Sequence, residues 1–266
     1  MSTKKTARRQ TDLAGATISE FDGVRYLHLG TEWVQGAMRI RSPKKLELEY
    51  IQRMMAWMLW RDAGSLAPDA GQAVQLGLGA GAITRFTHQV LRWPTTVVEI
   101  NPTVLAANRL WFHLPPEDER LTLVEADAAQ WVSRDAPPGS VDVLCVDLYD
   151  HDAAAPVLDD EAFYAACRAM LADGGLMTVN LFGRDASFER SAARIAAAFG
   201  TDQLWQLAPT QEGNTIVVAG RGVVVPDRDT LNRRADAIEQ QFSLPARKWL
   251  RMVRPYRAWE SAGPPV

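Results

Sequence analysis

Three acidic residues, Glu99, Asp127 and Asp147, each follow a short apolar segment with the length of a buried strand. Where parallel strands end at one edge of a sheet, the side chains that follow them meet in the crevice in which α/β proteins bind ligands. Glu99 lies about 20 residues beyond a glycine-rich turn, a spacing that suits the two hydroxyls of a ribose. Asp127 suits the exocyclic amine of an adenine, and Asp147 remains for proton transfer. This spacing predicts a nucleoside site beside a candidate general base.

The glycine-rich turn before these carboxylates reads Leu76-Gly77-Leu78-Gly79-Ala80-Gly81-Ala82. Because glycine lets the backbone approach a ligand closely, Gly77, Gly79 and Gly81 are candidate contacts to the nucleoside. Gly77, Gly79 and Ala82 also satisfy the G-x-G-x-x-G/A pattern of dinucleotide-binding proteins. The further acidic strand ends favour a nucleoside of the S-adenosylmethionine type, and a nicotinamide dinucleotide remains the alternative.

Asp147 ends the apolar segment Val141–Val146, so its burial is costly unless a cation lies opposite. An amine or a sulfonium would meet that need. The carboxylate could take a proton from an incoming ammonium group, which frees the nitrogen lone pair for attack on a carbon next to sulfur. Turn and cap chemistry is the alternative, and it fits Asp159 and Asp160 better than Asp147. Asp127 could likewise cap the helix that follows it.

The elements that must position these residues alternate between strand and helix, which predicts an α/β fold with parallel strands. Alternating residues around Asp22-Gly23 predict an N-terminal hairpin ending at Leu29. Leu46–Trp60 has a helical pattern, and Ser42-Pro43 before it is a candidate cap. The expected units are a disordered basic arm (1–15), a small N-terminal hairpin and helix (16–64), a nucleoside-binding domain (65–222) and a C-terminal helical extension (223–266).

The composition excludes several classes of function. A net charge of -3 over 266 residues argues against general nucleic-acid binding, and no apolar run approaches the length of a membrane span. Two cysteines give no disulfide framework, so a reducing, cytoplasmic setting is expected. His28, His88 and His113 lack metal-ligand spacing, so no metal site is expected. The arginines and aromatic residues of 244–266 favour a subunit contact.

Taken together, these motifs resemble the spermidine synthase (polyamine aminopropyltransferase) family. The resemblance rests on Gly77-x-Gly79-x-Gly81, then Val98-Glu99-Ile100-Asn101, Ala126-Asp127-Ala128, Asp147-Leu148-Tyr149-Asp150 and Phe163-Tyr164, with Gln35 and Tyr50 upstream. It implies a seven-stranded, Rossmann-like methyltransferase fold with a mostly parallel sheet, a C-terminal antiparallel strand and a small N-terminal β region. It also implies a homodimer or homotetramer.

The resemblance further implies transfer of an aminopropyl group from decarboxylated S-adenosylmethionine to a small cationic di- or polyamine. Asp147 would be the base, and Tyr50, Tyr149 and Asp150 would hold the acceptor amine. The nucleoside would be held by seven residues: Gln35, Gly77, Gly79, Gly81, Glu99, Asp127 and Ala128.

Three positions depart from the family pattern. Ala80 stands where the glycine turn normally carries an acid, His151 stands where a proline usually follows Asp150, and Gln211 replaces the tyrosine of a Pro-Thr-Tyr loop. Since Ala80 removes a negative charge, a methyltransferase that uses ordinary S-adenosylmethionine is one alternative. A non-catalytic nucleoside-binding protein is another, favoured by the altered acceptor loop.

Overall fold

The computed structural model describes residues 13–148, 156–182 and 186–257. The N-terminal part is a three-stranded antiparallel sheet of β1 (Ala16–Phe21), β2 (Val24–Leu29) and β3 (Gly36–Arg39). Asp22 and Gly23 both have positive φ, as the predicted two-residue hairpin turn requires. The prediction of a hairpin alone was incomplete. β3 pairs with β2 from Gly36 onwards and adds a third strand that is too short for a pattern of alternation to reveal.

The large sheet confirms the predicted Rossmann-like methyltransferase fold. Its strand order is β11-β9-β10-β8-β7-β4-β5-β6, in which β4, β5, β6, β7 and β8 are parallel and β10 is antiparallel to β8. The strands are β4 (Ala73–Leu76), β5 (Thr95–Glu99), β6 (Leu121–Glu125), β7 (Val141–Val146), β8 (Leu171–Phe182), β9 (Leu204–Gln206), β10 (Asn214–Gly220) and β11 (Arg254–Pro255).

The resemblance implied seven strands, whereas the described residues form eight in this sheet. The eighth strand is β11, which pairs two residues with β9 at the edge of the sheet. Its proline is compatible with an edge strand, where one side of the backbone needs no partner. A two-residue strand that contains proline has no periodicity, so the sequence pattern could not reveal it.

Helices cover both faces of the sheet. They are α1 (Glu49–Met54), α2 (Ala82–Arg85), α3 (Pro102–Trp111), α4 (Ala128–Arg134), α5 (Glu161–Met170), α6 (Ala186–Phe199), α7 (Arg228–Phe242) and α8 (Ala246–Met252). The single helix predicted from Leu46 to Trp60 is shorter: Leu48 precedes its first residue, and a 3₁₀ helix, Met55–Trp60, follows it. Because every residue of that 3₁₀ helix is buried, packing on all sides overrides the preference for an α-helix. Ser42-Pro43 therefore caps no helix.

The C-terminal helices complete the core of the chain. Trp249 is fully buried in the cluster that contains Trp57 and Met58, and Tyr256 is buried on the other face of the sheet. The expectation that the aromatic residues of this segment make a subunit contact was therefore wrong for Trp249 and Tyr256. Composition alone cannot distinguish an aromatic residue that serves an interface from one that fills the chain's own core.

Candidate active site

The predicted glycine and acidic residues lie together at the carboxyl ends of the parallel strands of the large sheet. Gly77 follows β4, Glu99 ends β5, Asp127 lies two residues beyond β6, and Asp147 follows β7. These strands are consecutive neighbours in the order β7-β4-β5-β6. The amide of Gly77 donates to Val98 O at 2.9 Å, which joins the turn directly to the β5 end. The residues are thus assembled at the edge where α/β sheets bind ligands.

The glycine turn passes so close to Asp147, the residue after β7, that only glycine fits at position 77. Gly77 adopts φ +85°, and a methyl group on its Cα would overlap the carbonyl oxygen of Asp147. Gly36 makes a second close approach, because a methyl group there would lie 2.5 Å from the Ala80 nitrogen. The N-terminal sheet is therefore packed directly on the glycine turn.

Arg85 and Asn108 brace the turn from below, a role that the sequence did not suggest. Arg85 donates to Ala80 O at 2.8 Å, and Asn108 donates to Gly79 O at 2.7 Å. Arg85 is 1% exposed, and burial lowers the pKa of its guanidinium to about 10. These bonds fix the conformation of the turn, because they pair two of its carbonyl groups within the protein.

Glu99 is buried with both carboxylate oxygens held by the backbone. Oε2 accepts from Leu78 N and Oε1 accepts from Asn101 N, each at 2.8 Å. Burial raises the pKa of the carboxyl group, the backbone donors lower it, and the charge of Asp147 raises it further. A carboxylate fixed in this way presents its remaining acceptor positions in a constant direction, which suits recognition of paired hydroxyls.

Asp127 has the cap role that was foreseen as an alternative. Its Oδ1 accepts from Gln130 N at 2.9 Å at the start of α4, and Ala128 is the first residue of that helix. A cap occupies only part of the acceptor capacity of a carboxylate. The cap and a contact to an adenine amine are thus compatible at this residue.

Asp147 is half-buried beside two uncharged donors. Asn180 Nδ2 donates to Oδ1 at 2.9 Å, and the Tyr50 hydroxyl donates to Oδ2 at 3.3 Å. Burial raises the pKa of Asp147 to about 6, against the lowering effect of these two bonds. No ion pair to Asp147 is found among the described residues. The group is therefore a carboxylate that is ready to accept a proton near neutral pH.

The N-terminal region forms the wall of the cleft opposite Asp147. The backbone of Gln35 donates to Leu27 O, which fixes the segment that leads into β3, and α1 carries Tyr50 and Ile51. The cleft is lined by Gln35, Gly36, Ala37, Tyr50, Ile51, Gln75, Leu78, Gly79, Ala80, Ala82, Ile83 and Asp147. These lining residues include an acid and no Lys or Arg, so the cleft favours cationic guests.

Tyr149 and Asp150, together with His151, lie outside the described residues. Within 13–148, 156–182 and 186–257, no group of three or more His, Cys, Asp or Glu side chains could hold a metal ion. Over the same ranges, no helix is long and apolar enough to cross a membrane.

Asn180 and Asn214 are site residues that the sequence reasoning missed. Asn180 lies within β8, two residues before its last residue, Phe182, and Asn214 begins β10. A polar residue in or beside a mostly apolar strand is a signal related to the one that singled out Glu99 and Asp147. The signal is weaker for an amide, because a neutral side chain conflicts less with burial than a carboxylate does.

Comparison with known proteins gives the family. A polyamine aminopropyltransferase of Chromobacterium violaceum is 33% identical over 229 residues, which cover 85% of this chain and 84% of that protein. A polyamine aminopropyltransferase of Neisseria meningitidis serogroup B is 32% identical over the same shares. No family model matches the chain.

Solved structures share the fold. A probable spermidine synthase from Corynebacterium glutamicum has a TM-score of 0.69 at 19% identity and covers 85% of this chain and 82% of its own. Human methyltransferase-like protein 13 in complex with SAH has a TM-score of 0.64 at 21% identity, over 81% of this chain and 98% of its own. With the curated relatives above 30% identity and four fifths of their length matched, the chain belongs to the polyamine aminopropyltransferase family.

Proposed function

We propose that the protein transfers an aminopropyl group from decarboxylated S-adenosylmethionine to a small cationic di- or polyamine. The observation that carries the proposal is Asp147, a half-buried carboxylate that has no ion-pair partner among the described residues and lies in a cleft whose described lining residues include no Lys or Arg. Such a carboxylate is stabilised when an ammonium group enters, because the ligand supplies the missing positive charge. The names of the curated relatives agree with this class of reaction.

The proposed reaction is a displacement at the carbon next to sulfur. The acceptor binds as an ammonium ion, and Asp147 takes its proton. The freed nitrogen lone pair attacks the aminopropyl carbon, a new C–N bond forms and the C–S bond breaks. The sulfonium leaves as neutral methylthioadenosine. Tyr50 stabilises the charged form of Asp147 until the amine arrives, since its hydroxyl donates to Oδ2.

The same edge of the sheet supplies the proposed nucleoside contacts. Glu99 would bind the ribose hydroxyls, Asp127 and Ala128 the adenine edge, and Gln35 the flank of the nucleoside. The three glycines of the turn would leave room for its close approach. Tyr149 and Asp150 would join Tyr50 at the acceptor amine.

We also propose that the protein forms a homodimer or homotetramer in the cytoplasm. Light scattering after size exclusion measures the number of subunits.

One observation favours a second candidate, a methyltransferase that uses ordinary S-adenosylmethionine. Ala80 lines the cleft at the position where the resemblance to the family leads us to expect an acid. The missing charge removes a repulsion that would oppose the carboxylate of the ordinary cofactor. Human methyltransferase-like protein 13, which is in complex with SAH, shares this fold.

Product analysis distinguishes the two. The protein is incubated with each nucleoside and a panel of diamines and polyamines. Methylthioadenosine together with an aminopropylated amine supports the proposal, and S-adenosylhomocysteine supports the alternative. Asp147→Asn should abolish turnover with little change in nucleoside affinity, and Asp160→Asn, an exposed helix cap, serves as the matched control. Full activity of Asp147→Asn would rule out this residue as the base.

A further inference from the structure

Hydrogen bonds link Asp147 to two buried polar side chains, Asn180 and Asn214, which lie on the neighbouring strands β8 and β10. The β7–β8 register pairs Val146 with Val179, so Asp147 and Asn180 lie side by side at the sheet edge. Asn214 is on β10, which pairs with β8 on its other side. Asn180 Nδ2 donates to Asp147 Oδ1 at 2.9 Å, and Asn214 Nδ2 donates to Asn180 Oδ1 at 3.1 Å. The two amides thus form a chain that ends at the carboxylate.

The direction of these hydrogen bonds is set by the network. Thr210, in the loop between β9 and β10, donates from its hydroxyl to Asn214 Oδ1 at 3.5 Å and accepts from Asn214 N at 3.2 Å. The Nδ2 group of Asn214 is then left to donate to Asn180. Since the oxygen of Asn180 is occupied, its nitrogen must face Asp147. Reversal of either amide would place two acceptors, or two donors, against each other.

We propose that Asn180 and Asn214 are positioning residues that hold one oxygen of Asp147 and leave the other, which Tyr50 contacts, available to the acceptor amine. The inference rests on the proposed function for its role in turnover. Both asparagines are more than nine-tenths buried, at 5% and 8% exposure. Burial of an amide side chain costs free energy unless the amide is hydrogen-bonded. Asparagine at a strand position that would otherwise suit an apolar residue therefore indicates a specific role as a hydrogen-bond donor.

The chemical advantage is that a neutral donor orients a carboxylate without cancelling its charge. A Lys or Arg in place of Asn180 would hold Asp147 equally well but would also compete with the cationic acceptor. The charged or titratable groups that face Asp147 among the described residues are Tyr50 from α1, Glu99 from β5 and Cys145 from β7. None of these is a cation. The orientation of Asp147 therefore depends on Asn180 and Tyr50.

The test measures the titration of the Asp147 carboxyl group by carbon NMR in the full chain, with Asp147→Asn to assign its signal. Asn180→Leu, which is similar in size and has no donor, should move the midpoint upward by about one pH unit, because the ionised form loses a bond. Asn214→Leu should move it upward by less, since Asn180 is present but free to turn. Thr178→Val is the control, because Thr178 is buried on the same strand and contacts Cys145.

An unchanged midpoint in Asn180→Leu would overturn the proposal, and an unchanged midpoint in Asn214→Leu would overturn the role of the pair. If Asn180→Leu does not fold, Asn180→Ala provides the same comparison. In turnover, the acid limb of kcat should move with the midpoint while KM for the nucleoside stays constant, which a merely structural defect would not produce. Because the NMR titration needs no substrate, its outcome is independent of whether aminopropyl transfer is the reaction.

Discussion

Replacement of the candidate base should make the protein more stable at neutral pH. Asp147→Asn removes a carboxyl group whose burial raises the pKa from 3.8 to about 6. Asparagine has nearly the same shape, its oxygen can accept from Asn180, and its amide can donate to the Tyr50 oxygen. The substitution thus removes the unfavourable charge and leaves the packing of the site intact.

The size of the effect follows from linkage. Between pH 3.8 and 6 the folded protein holds a proton at Asp147 that the unfolded chain has lost, so the stability of the wild type falls as pH rises through this interval. A rise from 3.8 to about 6 corresponds to about 3 kcal/mol, at about 1.4 kcal/mol per pKa unit. Against a total stability of about 5–15 kcal/mol, this is a large fraction.

Urea unfolding at intervals between pH 4 and 8 measures this difference. The two proteins should be nearly equal in free energy of unfolding at pH 4, and Asp147→Asn should gain up to about 3 kcal/mol by pH 7, with no further gain above it. Asp160→Asn should show no comparable gain, because Asp160 is an exposed cap that asparagine replaces well. A variant that is less stable than the wild type at pH 7, or a difference that does not depend on pH, would refute the reasoning.

Three further predictions follow from the site. Gly77→Ala should lose more stability than Gly139→Ala, by about 1–3 kcal/mol in urea unfolding, because both have positive φ but only Gly77 abuts the Asp147 carbonyl group; equal losses would contradict this close approach. Glu99→Gln should weaken nucleoside binding in calorimetry by roughly 10-fold or more, because a charged acceptor is lost, and unchanged affinity would place the ribose elsewhere. In the pH profile of kcat/KM, the acid limb should lie near 6, the pKa of Asp147, with activity falling below it as the base is protonated; a limb near 4 would exclude Asp147.

The sequence was most informative where strands end. Glu99 and Asp147 could be singled out because a carboxylate after an apolar run conflicts with burial, and such conflicts concentrate at functional sites. The helix cap at Asn101 is another local relation, because Asn101 directly precedes Pro102 and its side chain accepts from Thr103 N, two residues on. These are local relations, so a single stretch of chain contains them.

What the sequence did not reveal depends on contacts between distant stretches. Arg85 reads as an ordinary helical arginine, yet it is buried under the glycine turn and donates to Phe112 O, 27 residues away. The shift from α-helix to 3₁₀ helix after Met54 reflects packing against Trp93 and the C-terminal helices, which no local pattern encodes. Packing of this kind overrides propensity.

Helix α8 contacts α1, the helix that carries Tyr50 into the candidate active site. Lys248 of α8 donates to Glu49 at 2.6 Å, and Glu49 directly precedes Tyr50, the residue that contacts Asp147. Trp249 beside it is buried in the same cluster as the 3₁₀ helix that continues α1. The wall of the cleft opposite Asp147 is thus supported by a helix that lies 199 residues further along the chain. Substitutions at Lys248 or Trp249 therefore act on the helix that carries Tyr50, although neither residue lines the cleft.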